Sequence, residues 1–396
     1  MEQPLRDAQA MSGLQIAASA PPEHCSHLTR HHTEGVDLVQ GGLVELGVPP
    51  GLARVVAEDD RRIGLRMYLL DNSGSTSASD GTRLQDVGGN RFCIQRCTRW
   101  EEICLLAEDH ARWNLRVGTP CEFVLLNSIG RTPGSPMVEG RDCVRIDRSN
   151  GLEEEQLQRL RNMLGSNGPR GVTPIAERLD DIQIRIQAGV SDLAQRAQMV
   201  FLTIVTDGMP TTPFSGESTD ADRARFVQAL RTLCHMPQVQ LVIRLCTDDA
   251  DTISYYNRID QEVELPLDIL DDMVGEAQEL AGKGNDWFAY TPVIHRMREA
   301  GTLSKILDEL DERSLENSEI RKLAGLLISS PQPLDHLSDR QFIKEIAKIV
   351  SGTPWVYDAR RQEMRPVVHI GKMRVAMKVG FRGKVLPVIC PCMIRD

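Results

Sequence analysis

Four short apolar runs, separated by segments with helical periodicity, constrain the fold of this chain more than any other feature. They cover residues 65–70, 120–126, 200–205 and 239–245. Hydrophobicity is nearly continuous along each run instead of alternating, which is typical of parallel strands covered on both faces. Between the runs, apolar residues form two stripes at helical spacing: Ile175, Leu179, Ile182, Ile186 and Leu193, then Phe226, Val227, Leu230 and Leu233. The pattern predicts an α/β fold with a doubly wound, mostly parallel sheet flanked by helices.

Composition and periodicity divide the 396 residues into five segments. The first is rich in Ser, Pro, Gln and His without sustained periodicity, which is typical of disorder. Prolines 49 and 50 break the second into two short helices. The predicted segments are a disordered tail over 1–33, a short helical lead-in over 34–62, an α/β domain over 63–265 with an insert near 130–150, a helical extension over 266–350, and a C-terminal β-hairpin segment over 351–396.

Three local patterns add further elements. A helix is predicted from about Cys93 to Leu115, after a polar turn that follows the first strand. Inside the insert, residues 143–146 (CVRI) predict a small edge strand. Near the C-terminus, apolar and polar residues alternate over 372–379, which predicts the first strand of the terminal hairpin.

Composition excludes several classes of protein. The apolar fraction of 41% and the charged fraction of 26% are those of an ordinary globular chain. A net charge of −10 argues against binding nucleic acid over the whole surface. The longest apolar run, residues 199–205, is far below the roughly 20 residues that span a bilayer, so no transmembrane segment is expected. The N-terminus lacks the basic and apolar regions of a secretory signal, and a cytoplasmic protein is predicted.

The C-terminal segment has the opposite charge to the rest of the chain. Residues 365–395 contain seven Lys or Arg residues and no acid. One interpretation of such a segment is an anionic partner, such as a membrane surface or nucleic acid. Because the charges alternate with apolar residues, a hairpin with one solvated face and one packed face is the preferred interpretation.

The residues that carry chemistry come directly after the first predicted strand. The sequence there is Asp71-Asn72-Ser73-Gly74-Ser75. A carboxylate and two hydroxyls in one tight loop can converge on a point, and Mg²⁺ prefers such oxygen ligands. Taken alone, the same residues also suit a polar turn with a helix cap.

Two further groups favour the metal interpretation. Thr173 lies in a Gly-Val-Thr-Pro segment just before a long predicted helix, and Asp207 follows the apolar run 199–205. In an open α/β sheet, ligands bind at the carboxyl ends of the strands where the winding direction reverses. If the strands that end at Asp71 and Asp207 are neighbours across that reversal, the two carboxylates face each other.

These residues resemble the von Willebrand factor A family, a Rossmann-like fold also known from the inserted domain of integrins. The resemblance covers residues 63–265, and its most specific part is the motif of the metal-ion-dependent adhesion site. Asp71, Ser73 and Ser75 match the D-x-S-x-S motif, Thr173 the distal threonine, and Asp207 the second aspartate. The insert places Thr173 farther downstream than the family pattern; Thr211 or Thr212 is the alternative, although neither begins a helix.

The resemblance implies a cofactor and a partner. The five residues would hold Mg²⁺ (or Mn²⁺), with one coordination position left for an Asp or Glu carboxylate of a partner protein. It therefore implies a metal-dependent protein-binding module and not an enzyme.

Two other functions remain open from the residues alone. The first is a metal-dependent hydrolase or phosphotransferase. The sequence lacks the phosphate-loop, nucleophile-elbow and zinc-protease motifs. Ser73 also stands where an enzyme of the haloacid dehalogenase type needs a second carboxylate. Such an enzyme would also need a base beside the metal-bound water. His110 and His235 fall in predicted helices, where surface or core roles are more common. The other function is a scaffold in which the metal is purely structural.

Overall fold

A computed structural model of the chain describes residues 36–88, 92–130, 135–263, 267–330 and 334–378. The helices are α1 (Val36–Glu45), α2 (Pro50–Asp60), α3 (Arg99–Val117), α4 (Glu153–Ser166), α5 (Ile175–Gln195), α6 (Asp220–Cys234), α7 (Ala250–Val263), α8 (Met273–Gly282), α9 (Pro292–Glu299), α10 (Lys305–Asp308), α11 (Asn317–Ile328), α12 (Asp339–Val350) and α13 (Ile370–Ala376). The strands are β1 (Ile63–Leu70), β2 (Gly81–Asp86), β3 (Phe92–Cys97), β4 (Cys121–Leu125), β5 (Cys143–Ile146), β6 (Met199–Thr206), β7 (Val239–Leu245), β8 (Leu267–Leu270), β9 (Val356–Asp358) and β10 (Glu363–Arg365).

Six strands form one central sheet in the order β5-β4-β1-β6-β7-β8. All neighbours in it are parallel except β4 and the edge strand β5. The chain builds the sheet outward from β1 first on one side and then on the other, so the winding direction reverses between β1 and β6. This confirms the predicted mostly parallel α/β sheet and the edge strand at residues 143–146.

Helices cover both faces of the sheet, which explains why the strands are mostly apolar. Along β1, Leu65, Met67 and Leu69 point to the side covered by α5, α6 and α7. Tyr68 and Leu70 point to the side covered by α3 and α4. Each fully buried side chain of this kind contributes roughly 1.5–3 kcal/mol. The two predicted helical stripes lie on α5 and α6 and are buried on the first side, except for the partly buried Val227.

A third apolar cluster joins the two helical parts of the chain. Helices α1 and α2, predicted from the prolines between them, pack with α11, α12 and the residues around Trp287. At the α2–α11 crossing, a Cβ on Gly51 would lie 2.5 Å from the Leu326 carbonyl oxygen, so only glycine allows this approach. The lead-in and the helical extension thus share one core. Nowhere in the part of the chain that the structure describes is a helix long and apolar enough to cross a membrane.

The predicted start of the third helix was wrong. Residues 92–97 form strand β3, which pairs with β2 in an antiparallel hairpin, and α3 begins only at Arg99. The reason is a capping box: the Thr98 hydroxyl accepts a hydrogen bond from the Glu101 amide, while the Glu101 carboxylate accepts one from the Thr98 amide. Cys93 therefore lies on a strand.

The predicted domain boundary at 265/266 also differs from the structure. Strand β8 pairs in parallel with β7, so the sheet continues to Leu270 before the helical extension starts at α8. Four residues are too few for a periodicity that distinguishes a strand from a helical turn.

The predicted terminal strand was wrong where the structure describes it. Residues 370–376 form α13, and the hairpin in this segment is instead β9–β10. Met373 and Met377 alternate with polar neighbours, but they also lie four residues apart on one helix face, and both are buried. Residues 379–396, with the rest of the predicted hairpin and much of its basic charge, lie outside the described residues, as does the predicted tail over 1–33.

Candidate functional site

Strands β1 and β6 deliver Asp71 and Asp207 to the same edge of the sheet. The strands are neighbours and parallel, with Leu70 opposite Val205. The Asp71 amide donates a hydrogen bond to the Val205 carbonyl oxygen at 2.9 Å. The pair straddles the reversal of winding, where open α/β sheets bind ligands. The predicted adjacency of the two strands is confirmed.

Ser73 and Ser75 connect the two aspartates. The Ser75 hydroxyl donates to Oδ1 of Asp207 at 2.9 Å and lies 2.9 Å from the Ser73 hydroxyl oxygen, which is itself 3.5 Å from the same Oδ1. Oδ1 of Asp71 accepts from the Ser73 amide at 2.8 Å. We call Asp71, Ser73, Ser75 and Asp207 the Asp71–Asp207 cluster. The structure brings these four predicted residues together.

Thr173 lies at the edge of this cluster. A Cβ on Gly208 would be 3.4 Å from the Thr173 hydroxyl oxygen and 3.8 Å from the Ser75 hydroxyl oxygen, so both hydroxyls adjoin the same backbone position. Thr173 precedes α5, as predicted. Strand β5 and helix α4 lie between β4 and Thr173, which accounts for its distance along the sequence. The alternative Thr211 uses its hydroxyl otherwise, accepting from the Thr173 amide and donating to a backbone carbonyl.

Two asparagines that the sequence analysis missed hold the loops of the site together. The fully buried Asn72 side chain donates to the backbone carbonyls of Asn127 and Asn167 and accepts from the Asn127 amide. The Asn127 side chain donates to the carbonyls of Arg170 and Val172. The loop before Thr173 is thereby fixed to the loop after β1.

Arg99 is the other residue that the sequence analysis missed. Its guanidinium donates to Oδ2 of Asp207 at 2.9 Å and forms a bidentate pair with Asp80 at 2.7 and 2.6 Å. The capping box at 98–101 was the available signal, because it starts α3 at Arg99. The Arg99 guanidinium thus bonds to Oδ2 of Asp207, whereas the serine hydroxyls bond to Oδ1.

The two carboxylates lie in an environment with too little positive charge. Burial, together with the charge of Asp207, raises the pKa of Asp71 to about 6. Burial also raises the pKa of Asp207, although the Arg99 guanidinium opposes that rise. Both side chains are almost completely buried. A cation between them would offset the cost of their burial.

The donor set fits a hard divalent cation. Two carboxylates and the hydroxyls of Ser73, Ser75 and Thr173 supply only oxygen, the ligand type of Mg²⁺. Another acidic group, Glu276, Glu279 and Asp311, has carboxylates within ligand distance of one another. Arg298 pairs there with Glu276 and, at 2.9 Å, with Asp311, so one guanidinium serves that group as Arg99 serves the Asp71–Asp207 cluster.

The two histidines considered as catalytic bases, His110 and His235, lie outside the Asp71–Asp207 cluster. His110 is in α3, as predicted, and its Nε2 is 3.3 Å from Glu299 in the buried core. His235 follows the end of α6, with Nδ1 2.6 Å from the Arg231 carbonyl oxygen. Neither histidine belongs to the Asp71–Asp207 cluster.

Comparisons of the sequence with family models and with curated proteins gave no match. The likeness to the von Willebrand factor A family therefore depends on the motif residues.

We expect the stabilisation by Mg²⁺ to depend on pH. Because the pKa of Asp71 is raised, protonation of this carboxyl favours the metal-free fold, and that contribution is lost as pH rises through about 6. Metal binding displaces the proton, so Mg²⁺ affinity should fall about tenfold between pH 7.5 and pH 5. Thermal unfolding with and without Mg²⁺ at the two pH values measures this. An equal shift of Tm at both would contradict it.

Proposed function

We propose that this chain is a metal-dependent protein-binding module of the von Willebrand factor A type. Asp71, Ser73, Ser75, Thr173 and Asp207 hold Mg²⁺ (or Mn²⁺), and an Asp or Glu carboxylate of a partner protein completes the coordination of the ion. The proposed location is the cytoplasm; the cysteines among the described residues are free thiols, which suits a reducing compartment.

The convergence of the cluster carries this proposal. Asp71 and Asp207 come from loops far apart in the sequence, yet both contact Ser73 at the reversal of the sheet. Asp71 accepts from the Ser73 amide, and Asp207 accepts from the Ser73 and Ser75 hydroxyls. Two nearly buried carboxylates that depend on a single guanidinium, that of Arg99, are costly without a further cation. A bound Mg²⁺ would supply a positive charge at which a partner carboxylate can dock.

The rim of the site favours a macromolecular partner. Phe214 lies in the loop after Asp207 and is 91% exposed. It borders a cavity of about 290 Å³ that also touches Asn127 and Pro174, the residue after Thr173. Exposed aromatic side chains beside a pocket are frequent anchors of protein interfaces.

The negative net charge of the chain explains why a partner carboxylate would need a metal ion at the site where it docks. The chain carries a formal charge of −10, so it repels a partner carboxylate at long range. The ion provides attraction at the point where that carboxylate docks. Moderate salt should therefore aid the encounter by screening, whereas chelation should remove the contact between the carboxylate and the metal site.

Chelation-dependent capture tests the proposal. The immobilised protein should retain specific cellular proteins in Mg²⁺, release them in EDTA, and retain them again when excess Mn²⁺ is added. Ser75→Ala should weaken retention, because Ser75 bonds to Asp207. Ser77→Ala is the matched control: its exposed hydroxyl bonds only to the Gly74 carbonyl within the same loop, and retention should be unchanged. Retention of every captured protein in EDTA would contradict the adhesion role.

A further inference from the structure

A surface cleft between α6 and α7 lies beside the candidate metal site. Its volume is about 820 Å³, within the range of roughly 300–1,000 Å³ typical of ligand sites. Met209, two residues after Asp207, is one of the residues that line it. Helix α7 is tied to the same loop, because the Tyr256 hydroxyl donates to the Gly208 carbonyl at 3.0 Å. The loop after β6 therefore contributes both to the candidate metal site and to this cleft.

Positive charge in the cleft exceeds what its own acids neutralise. Its charged lining consists of three arginines (Arg223, Arg231 and Arg258) and two aspartates (Asp220 and Asp251), which leaves one net positive charge. Arg223 pairs with Asp220 at 2.5 Å. Neither of the other two arginines, both exposed, forms an ion pair with another described residue. Two guanidinium groups thus face the cleft with donors available for oxyanions.

A buried hydroxyl in the cleft has no hydrogen-bond partner among the described residues. Tyr255 is only 6% exposed, and its hydroxyl oxygen is buried without a partner. Burial raises the pKa of Tyr255, so the hydroxyl stays protonated and can donate. Leaving such a group unsatisfied costs about 1–3 kcal/mol. An acceptor oxygen from a ligand would remove this cost.

Apolar side chains separate the charged groups of the cleft. Met209, Val227 and Ile259 line it together with the arginines. A small inorganic anion would leave these surfaces unused, whereas a peptide with both acidic and aliphatic side chains would contact both kinds. Nucleic acid is disfavoured by the net charge of the chain.

We infer that the α6–α7 cleft binds an acidic, partly aliphatic peptide segment. Its carboxylates pair with Arg231 and Arg258, and one of their oxygens accepts a hydrogen bond from the Tyr255 hydroxyl. We assign this segment to the same partner protein whose carboxylate binds the metal, and that assignment alone rests on the proposed function.

Fluorescence anisotropy with a short labelled peptide that alternates Glu with Leu tests the cleft. The titration is made in EDTA, so that the metal site does not contribute. The peptide should bind the protein, and a peptide that alternates Gln with Leu should not. Arg231→Glu/Arg258→Glu should weaken binding by roughly 10- to 100-fold, since it removes two charge-assisted contacts. The matched double variant Arg54→Glu/Arg61→Glu, on the α2 side of the molecule, should bind as the unaltered protein does.

Tyr255→Phe separates a binding role from a structural one. It keeps the ring and removes the unsatisfied hydroxyl, so Tm should stay the same or rise while peptide affinity falls about 3- to 10-fold. Asp71→Asn should bind the peptide normally, so that failure of the metal site and failure of the cleft are distinguished. The inference is overturned if the Arg231/Arg258 variant binds as tightly as the unaltered protein, or if pyrophosphate displaces the peptide as effectively as unlabelled peptide does.

Discussion

Asp71→Asn is expected to leave the metal-free protein at least as stable as the unaltered chain and to abolish its stabilisation by Mg²⁺. The asparagine keeps a carbonyl oxygen for the Ser73 amide and offers its NH₂ group to the Thr206 hydroxyl. It removes a buried charge that lies beside Asp207. Losing a carboxylate of the proposed site should weaken Mg²⁺ binding by at least the roughly 10- to 100-fold cost of outer-shell changes. Urea unfolding with and without Mg²⁺ measures both effects.

The control for this variant is Asp37→Asn, at an exposed position on α1. It removes the same charge far from the cluster, so the response to Mg²⁺ should not change. If Asp71→Asn unfolds at markedly lower urea than the unaltered metal-free protein, the charge-balance argument is wrong. If the variant still gains the full stability from Mg²⁺, the metal lies elsewhere.

Arg99→Met, unlike Asp71→Asn, should make the metal-free protein less stable than the unaltered chain. Without the guanidinium, the buried carboxylate of Asp207 loses its counter-charge and Asp80 loses a bidentate partner. Breaking a buried pair costs about 3–5 kcal/mol; since Asp80 is partly exposed, a loss on the order of 2 to 4 kcal/mol is expected. Mg²⁺ should restore more stability to this variant than to the unaltered protein, because the ion no longer competes with a resident cation.

Arg112→Met, on the same helix, is the matched control. Arg112 pairs with Glu108 and Asp109 at the surface and is 39% exposed, so its loss should cost less than about 1 kcal/mol. Equal destabilisation by the two substitutions would contradict the assigned role of Arg99. So would a Mg²⁺ response of Arg99→Met no larger than that of the unaltered protein.

The sequence predicted those parts of the fold that depend on local periodicity. The buried strands β1, β6 and β7 are mostly apolar because helices cover both faces, and that pattern is visible without a structure. The α13 segment shows the limit of such patterns: Met373 and Met377 suit a strand and a helix equally, and burial against the helical core decides between them. Strand β8 forms because it pairs with β7, and the sequence of its four residues does not by itself predict that pairing.

The candidate site was predictable where its residues follow strands. Asp71 and Asp207 each end a strand, so their meeting follows from the order of the sheet. Arg99 was not predictable in this way, because its contact with Asp207 spans 108 positions and depends on the direction in which α3 leaves the β2–β3 hairpin. Asn72 stands within the motif itself, but its buried hydrogen bonds to Asn127 and Asn167 require the folded loops.

Calorimetric titration of Mg²⁺ tests the central claim most directly. At a pH well above 6, where the Asp71 carboxyl is ionised, the folded protein should bind a single Mg²⁺ ion, and folded Asp71→Asn should show no binding in the same range. Absence of Mg²⁺ and Mn²⁺ binding by the unaltered protein, or equal binding by the variant, would contradict the proposed site.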